Sequence, residues 1–202
     1  MLPVRNAIKG NKLSIRTQFF SRKCGRMVAC ESTLERDHLY HLEADPNVVS
    51  FQGQPFVEQY SFEGKIHTYI PDFAVDYQSP HHREIHEVKS RKEIDRTKVA
   101  AKYAAISQRF ETMGITYRIV TDAEIRREPR LTNAALILRY RSWPEDQIPD
   151  VREMEINGLA VPLQAIADYR PWQSCLPLVA DGILEIDRDQ LLSGSSLARR
   201  LR

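Results

Sequence analysis

Cysteine is scarce in this sequence: Cys24, Cys30 and Cys175 are the three among 202 residues. So few, and an odd number, exclude a disulfide scaffold and favour a reducing compartment. No apolar run approaches the roughly 20 residues that a membrane helix needs. Residues 1–10 include basic side chains but no apolar h-region, so no secretory signal is expected. Glycine and proline number 8 and 11, which excludes collagen-like and low-complexity chains. No internal repeat is evident. What remains is ordinary globular composition, 42 % hydrophobic and 28 % charged. The length fits one domain, or one domain plus a small second one.

The most telling absence is local. The first 30 residues contain no acid, yet hold Arg5, Lys9, Lys12, Arg16, Arg22, Lys23 and Arg26. Such a run suits a polyanion such as nucleic acid; a solvated, mobile arm is the plain alternative. Residues 1–141 carry 23 Lys and Arg against 17 Asp and Glu, whereas residues 142–190 carry 3 against 10. Residues 191–202 add 3 Arg and no acid. The net charge of +2 therefore hides a basic first part and an acidic second one. Ser142-Trp143-Pro144 is the expected boundary, and the acidic part fits a separate module with a different partner.

Patterning gives the organisation. Residues 1–20 read as an irregular basic arm. Glu31 to Glu43 reads as a helix, with Glu35, Leu39 and Leu42 on one face. Short β-rich runs follow at Val48–Phe51, Phe56–Tyr60, Ile66–Ile70 and Phe73–Tyr77, with a turn at Glu63-Gly64. A polar loop at Gln78–His82 leads to a strand over Glu84–Lys89. Ile94 to Met113 reads as one long helix, capped by Gly114. Ile115–Val120, rich in β-branched residues, reads as a central strand. Leu131–Tyr140 reads as a helix. The order predicts an α/β layer with a mixed sheet. Beyond residue 141, helices near Pro162–Tyr169 and Ser174–Ala180 precede a strand at Ile183–Ile186. That order suggests a small winged-helix-like module.

Three carboxylates and one lysine carry the chemistry. Asp72, in Pro71-Asp72-Phe73, lies between two strand-like runs. Fifteen positions later, Glu87 and Lys89 sit two apart on a strand, hence on one face. Two carboxylates offer the hard oxygen ligands that Mg²⁺ prefers. Two such ions can activate a water and stabilise the leaving oxygen of a phosphodiester. Lys89 can then orient the water or balance charge on the scissile phosphate. Glu35, at the edge of its helix's apolar stripe, is a further carboxylate, half-solvated or aimed into a site. This is the pattern of the PD-(D/E)xK nucleases, though a structural reading of the same residues stands beside it.

Longer motifs add to the cluster. Ser21-Arg22-Lys23-Cys24-Gly25-Arg26, Glu31-Ser32-Thr33-Leu34-Glu35-Arg36-Asp37, Asp45-Pro46, Val49 and Gln54-Pro55 come first. Tyr69-Ile70-Pro71-Asp72-Phe73 and Glu87-Val88-Lys89 follow in order. Over about residues 15–140 this set resembles the TnsA family, the endonuclease subunits of heteromeric cut-and-paste bacterial transposases. The resemblance implies a restriction-endonuclease-like fold, a mixed sheet flanked by helices, over residues 21–141. It implies cleavage at the 5′ ends of the transposon, while a TnsB-like transposase cuts and joins the 3′ ends. Carried across by motif, Glu35, Asp72, Glu87 and Lys89 are the catalytic set. Asp72, Glu87 and Glu35 are the metal ligands, for two Mg²⁺ ions with manganese as a substitute. Glu87 stands where some relatives have Gln. Gln54 and Glu31 match recurrent positions without an assigned role. The resemblance also implies transposon-end DNA and a TnsC-like ATPase regulator as partners, no membrane, and a bacterial cytoplasmic, nucleoid-associated setting. The 142–202 module is the expected partner-binding part.

Arg22, Lys23, Arg26, Arg91 and Lys92 are the candidate DNA contacts, with a solvated face as the plain alternative. His38 and His41 lie three apart on a helix, but without a third ligand they read as surface or capping residues. Two competing readings share the same residues: a stand-alone nuclease of this fold, such as a junction resolvase or restriction enzyme, and a non-catalytic DNA-binding scaffold.

Overall fold

The computed structural model describes residues 17–78, 82–152 and 159–201. Two compact units divide the chain: one runs through Leu39 and resumes over Asn47–Ile125, and the other takes Tyr40–Pro46 and Arg126 onward. Among the described residues no helix is long and apolar enough to cross a membrane.

The first unit begins with a hairpin, β1 (Thr17–Ser21) and β2 (Arg26–Cys30), in antiparallel register. Thr17–Phe20, expected within the irregular arm, instead form a strand, because these β-prone residues pair across Met27–Cys30. Residues 1–16 lie outside the described residues. Helix α1 (Thr33–Ala44) follows, then β3 (Val48–Gly53), and a second hairpin of β4 (Glu58–Phe62) and β5 (Lys65–Tyr69). Next come β6 (Phe73–Tyr77) and β7 (His82–Lys89), so His82 opens a strand rather than closing a loop. The rest of the expected polar loop, residues 79–81, lies outside the described residues.

The long helix expected at Ile94–Met113 starts earlier and is broken. Helix α2 (Arg91–Ile94) ends at Asp95, Arg96 is extended, and α3 (Thr97–Thr112) begins anew. Ser90 caps α2 by accepting from the Glu93 N–H. Gly114, at φ +68°, ends α3: its N–H reaches the Glu111 carbonyl and that of Ile115 reaches Phe110, a Schellman closure. Strand β8 (Thr116–Thr121) and helix α4 (Asp122–Ile125) complete the unit.

The main sheet has the order β3-β6-β7-β8. β7 and β8 are parallel and the other pairs antiparallel, the mixed sheet that was expected. β8 lies at the edge rather than the centre, so its β-branched content reflects half-burial and not position. Side-chain alternation sorts the two faces. Ala74 and Ile85 are register partners and join Tyr103, Ile106 and Phe110 of α3 in one core. Phe73 and His86, also partners, face His38 of α1, with ring centroids 5.8 and 5.2 Å away.

The second unit includes α5 (Arg130–Tyr140), a 3-10 turn at Glu145–Gln147, β9 (Val161–Pro162) and α6 (Leu163–Ala167). A second 3-10 turn at Trp172–Cys175 runs into α7 (Leu176–Ala180). Strands β10 (Leu184–Ile186) and β11 (Leu197–Arg200) join β9 in an antiparallel sheet of order β10-β11-β9. Helices α6 and α7 are shorter than their expected spans at Pro162–Tyr169 and Ser174–Ala180. The core gathers Ile137, Leu163, Ile166, Leu176 and Leu184. Buried Asn133 is fully used: Nδ2 donates to the carbonyls of Arg188 and Gln190, and Oδ1 accepts from the Leu192 N–H.

Packing thus divides the described chain at Ile125/Arg126, while the change of charge falls after Arg141. The physical reason is α5, whose Ala134 and Ile137 belong to the second core. Arg141 pairs there with buried Glu43, and the Arg188 guanidinium caps α1 at the Ala44 carbonyl.

Candidate active site

Register builds the site. Phe73 pairs with His86, so the residue before β6, Asp72, falls opposite Glu87 of β7. Asp72 Oδ2 accepts the Val88 N–H at 2.8 Å. Alternation returns Lys89 to the face of Glu87. Its ammonium reaches Glu87 Oε1 at 2.8 Å, the Val88 carbonyl at 3.1 Å and Asp72 Oδ2 at 3.5 Å. Asp72, Glu87 and Lys89 are therefore brought together, with both acids buried. Removing the ammonium would leave two buried carboxylates uncompensated, which is why the three behave as one unit.

Three tyrosines complete it. The Tyr69 hydroxyl donates to Glu87 Oε2, and the Tyr103 hydroxyl donates to Oε1 at 2.7 Å. The Tyr117 hydroxyl lies 3.1 Å from that of Tyr69. Burial first, then the Glu87 charge, pushes all three phenols up, so they remain proton donors. Tyr103 reads in sequence as one of α3's apolar stripe, and it does pack there. The signal that separates the two roles is a hydroxyl in a buried stripe, which needs a partner.

Glu35 lies at the start of α1, within electrostatic reach of Asp72 and Lys89. Its own oxygens are engaged locally. Oε2 accepts the Glu31 N–H at 2.8 Å and Oε1 the Ser32 hydroxyl at 3.0 Å. Ser32 Oγ in turn accepts the Glu35 N–H, a variant of the capping box that starts the helix. Glu31 Oε1 accepts from Gln54 Nε2 at 3.0 Å, and the Gln54 N–H donates to the Asp72 carbonyl at 2.9 Å. A chain of hydrogen bonds thus runs from Asp72 through Gln54 and Glu31 to Glu35.

Electrostatics mark the cluster as strained in charge. Burial, then the charge of Glu87, lifts Asp72 from 3.8 to about 7, against the pull of Lys89. Burial pushes Lys89 down, but Asp72 and Glu87 outweigh it and hold it above the ordinary lysine range. Burial also raises Glu35. Several displaced groups in one small cluster are typical of functional sites.

The donor set fits a hard cation. Among the described residues Asp72 Oδ1 accepts no hydrogen bond, whereas Glu87 already serves three donors. Among the described residues no group of three or more Asp, Glu, His or Cys side chains is placed to enclose a metal. Two carboxylate oxygens with the remaining positions taken by water suit Mg²⁺, which keeps much of its hydration, better than Zn²⁺.

The candidate DNA contacts are spread out. Arg22 is exposed at the β1–β2 turn, with Arg26 half-buried beside it. The Lys23 ammonium donates to the Val48 carbonyl. Arg91 and Lys92 are exposed on α2, and the Arg91 guanidinium pairs with Asp95 at 3.2 Å. His38 departs from the surface or capping role: it is buried, with Nε2 3.1 Å from His86 Nδ1.

Comparison with known proteins bears on the same strands. No curated protein matches the chain. Residues 45–122 match the family model described as TnsA-like endonuclease N terminal. That span contains Gln54, Tyr69, Asp72, Glu87, Lys89 and Tyr103, and begins after Glu35. Over this segment, the chain carries the TnsA-like endonuclease similarity that its motifs imply.

Proposed function

We propose that this protein is a metal-dependent DNA endonuclease, the TnsA-like subunit of a heteromeric cut-and-paste transposase, cleaving at the 5′ ends of the element. The observation that carries the reading is the register placing Asp72 opposite Glu87 with the Lys89 ammonium between them, inside the matched segment. Asp72 and Glu87 would hold Mg²⁺, which supplies a nucleophilic water and charge stabilisation at the phosphodiester. The charges of Asp72 and Glu87 hold Lys89 above the ordinary lysine range, which favours a donor's role for its ammonium. Its role is to donate hydrogen bonds and positive charge to the scissile phosphate and the attacking water. Tyr69 and Tyr103 hold the Glu87 carboxylate in one orientation. Glu35 is the third carboxylate of the set, held at the helix start. Residues 142–202 are the part that meets the TnsC-like partner, in keeping with the acidic character of residues 142–190 and the poor fit of acid to phosphate.

Strand-specific mapping on a supercoiled plasmid bearing the element's ends tests this. Mg²⁺ is present, with and without the neighbouring transposase and ATPase subunits, for wild type and Lys89→Ala. Partner-dependent nicks at the 5′ ends, lost in the variant, are expected. Full excision by Lys89→Ala would overturn the assignment. Cutting without partners would move the protein to a stand-alone nuclease, and no cutting in any mixture to a scaffold.

A further inference from the structure

The β1–β2 hairpin displays a face that this chemistry does not use. The register pairs Phe20 with Met27 and Gln18 with Ala29, and all four side chains are exposed. Phe20 is 58 % exposed and Met27 50 %, while Ser21, Val28 and Cys30 on the other face are buried. A large apolar pair side by side in water contributes nothing to this hairpin's own core, and such patches mark contact surfaces. Arg22 lies two residues beyond Phe20, and Arg26 immediately precedes Met27. Gly25, at φ +62°, makes the turn between them.

The face is held firmly. Cys24 Sγ donates to the Phe51 carbonyl at 3.1 Å and accepts the Phe51 N–H at 3.3 Å. Together with the Lys23 ammonium on the Val48 carbonyl, this pins the turn to β3. At its other end β2 runs into Glu31, which is hydrogen-bonded to the Gln54 that holds Asp72. The hairpin is thus tied at both ends to the framework of the candidate site, within one unit.

We propose that this face docks on duplex DNA, with Phe20 and Met27 seated in a groove against sugar and base edges and Arg22 and Arg26 on the flanking phosphates. An apolar pair alone would suit a protein partner equally well. The surrounding segment decides: seven cations and no acid in the first 30 residues favour a polyanion. Apolar side chains entering a groove beside arginines are an established way to combine the two contacts. The choice of duplex DNA rests on the nuclease reading, but the test needs no cleavage.

Binding to a fluorescent duplex of about 30 base pairs is measured in EDTA across a range of salt. The proteins are wild type, the double variant Phe20→Ala/Met27→Ala, and Arg22→Gln. Melting temperatures confirm that these exposed substitutions leave the fold intact. The apolar variant is expected to bind at least about fivefold more weakly at every salt concentration, with the same log–log salt slope. Arg22→Gln is expected to reduce that slope by about one. Wild-type affinity and slope in the apolar variant would overturn the proposal and return the face to a protein partner or a second copy. If the wild type binds as expected yet never cuts, the nuclease reading falls and the surface stands. If it cuts while the apolar variant binds normally, the surface alone falls.

Discussion

The side-chain amide of Gln54 donates to the carboxylate of Glu31 at 3.0 Å, from a backbone held at φ +47°. A left-handed conformation costs a non-glycine residue on the order of 1 kcal/mol. Here it lets one residue bond in two directions, main chain to Asp72 and side chain to Glu31. Glu31 passes the constraint to Glu35 through its own N–H. The two halves of the candidate site, the start of β6 and the start of α1, are joined by this pair.

The pair can be inverted. Gln54→Glu alone sets two carboxylates against each other and is expected to lower cleavage about tenfold or more, at a cost on the order of 1–2 kcal/mol. Adding Glu31→Gln restores a donor opposite an acceptor and is expected to recover most of both losses. Gln54→Gly relaxes the backbone, so it should be about 1 kcal/mol more stable than Gln54→Ala while equally impaired in cleavage. Strand-cleavage rates and denaturant unfolding on the four variants decide it. An unrescued double variant would show that the pair does not couple the two halves.

The tyrosine cage predicts a different signature. Tyr103→Phe keeps the ring in the α3 core and removes only the donor to Glu87 Oε1. A hydrogen bond to a buried charge is worth about 1.5–3 kcal/mol, and that loss is expected in urea unfolding. Cleavage should fall about tenfold through the rate at saturating DNA, with affinity unchanged, since Glu87 loses orientation rather than DNA contact. Wild-type cleavage from this variant would leave Tyr103 a packing residue only.

Local periodicity reaches some of these features and not others. The apolar stripe of α1 shows Leu39 and Leu42, and alternation shows that Glu87 and Lys89 share a face. That Asp72 stands opposite Glu87 depends on strand register, which no period in either strand states. His38 meets His86 from 48 residues away, and so reads locally as a surface residue. Arg141 counts with the basic part by position but pairs with Glu43 inside the second unit. The tyrosines are hidden for the opposite reason: they fill apolar positions so well that their hydroxyls go unnoticed.

Asp72 gives a pH test in metal-free protein. Its folded value, about 7, lies above its ordinary 3.8. The stability this lends is complete below about pH 4 and is lost as pH rises through about 7. Asp72→Asn keeps an acceptor for the Val88 N–H but never ionises. In EDTA it is expected to match wild type near pH 4, and near pH 8 to exceed it by on the order of 1–3 kcal/mol, less what the lost Lys89 pairing takes away. Thermal unfolding at the two pH values checks this. The same variant should show no Mg²⁺-dependent rise in melting temperature where wild type shows one. A variant less stable than wild type near pH 8 would show that the ammonium outweighs burial.

His86 makes the opposite demand. Burial lowers it from the ordinary 6.5, against Glu84, which accepts from Nε2 at 2.9 Å. With that proton on Nε2, Nδ1 is left to accept from His38 Nε2 at 3.1 Å. A second proton on His86 would turn the two imidazoles into facing donors. Glu84 also meets His82, while Arg118 lowers His86 and Glu124 raises it, both more weakly than Glu84 does. Because His86 takes up its proton less readily in the fold than in the unfolded chain, stability is full above about pH 6.5 and falls as pH drops below it. The fall is bounded by the roughly 1.36 kcal/mol per pH unit of one proton. His86→Gln, which cannot charge, should flatten this limb in urea unfolding across the same range. A limb that persists unchanged in the variant would assign it to other groups, and His86 would then carry only the packing of α1 on the sheet.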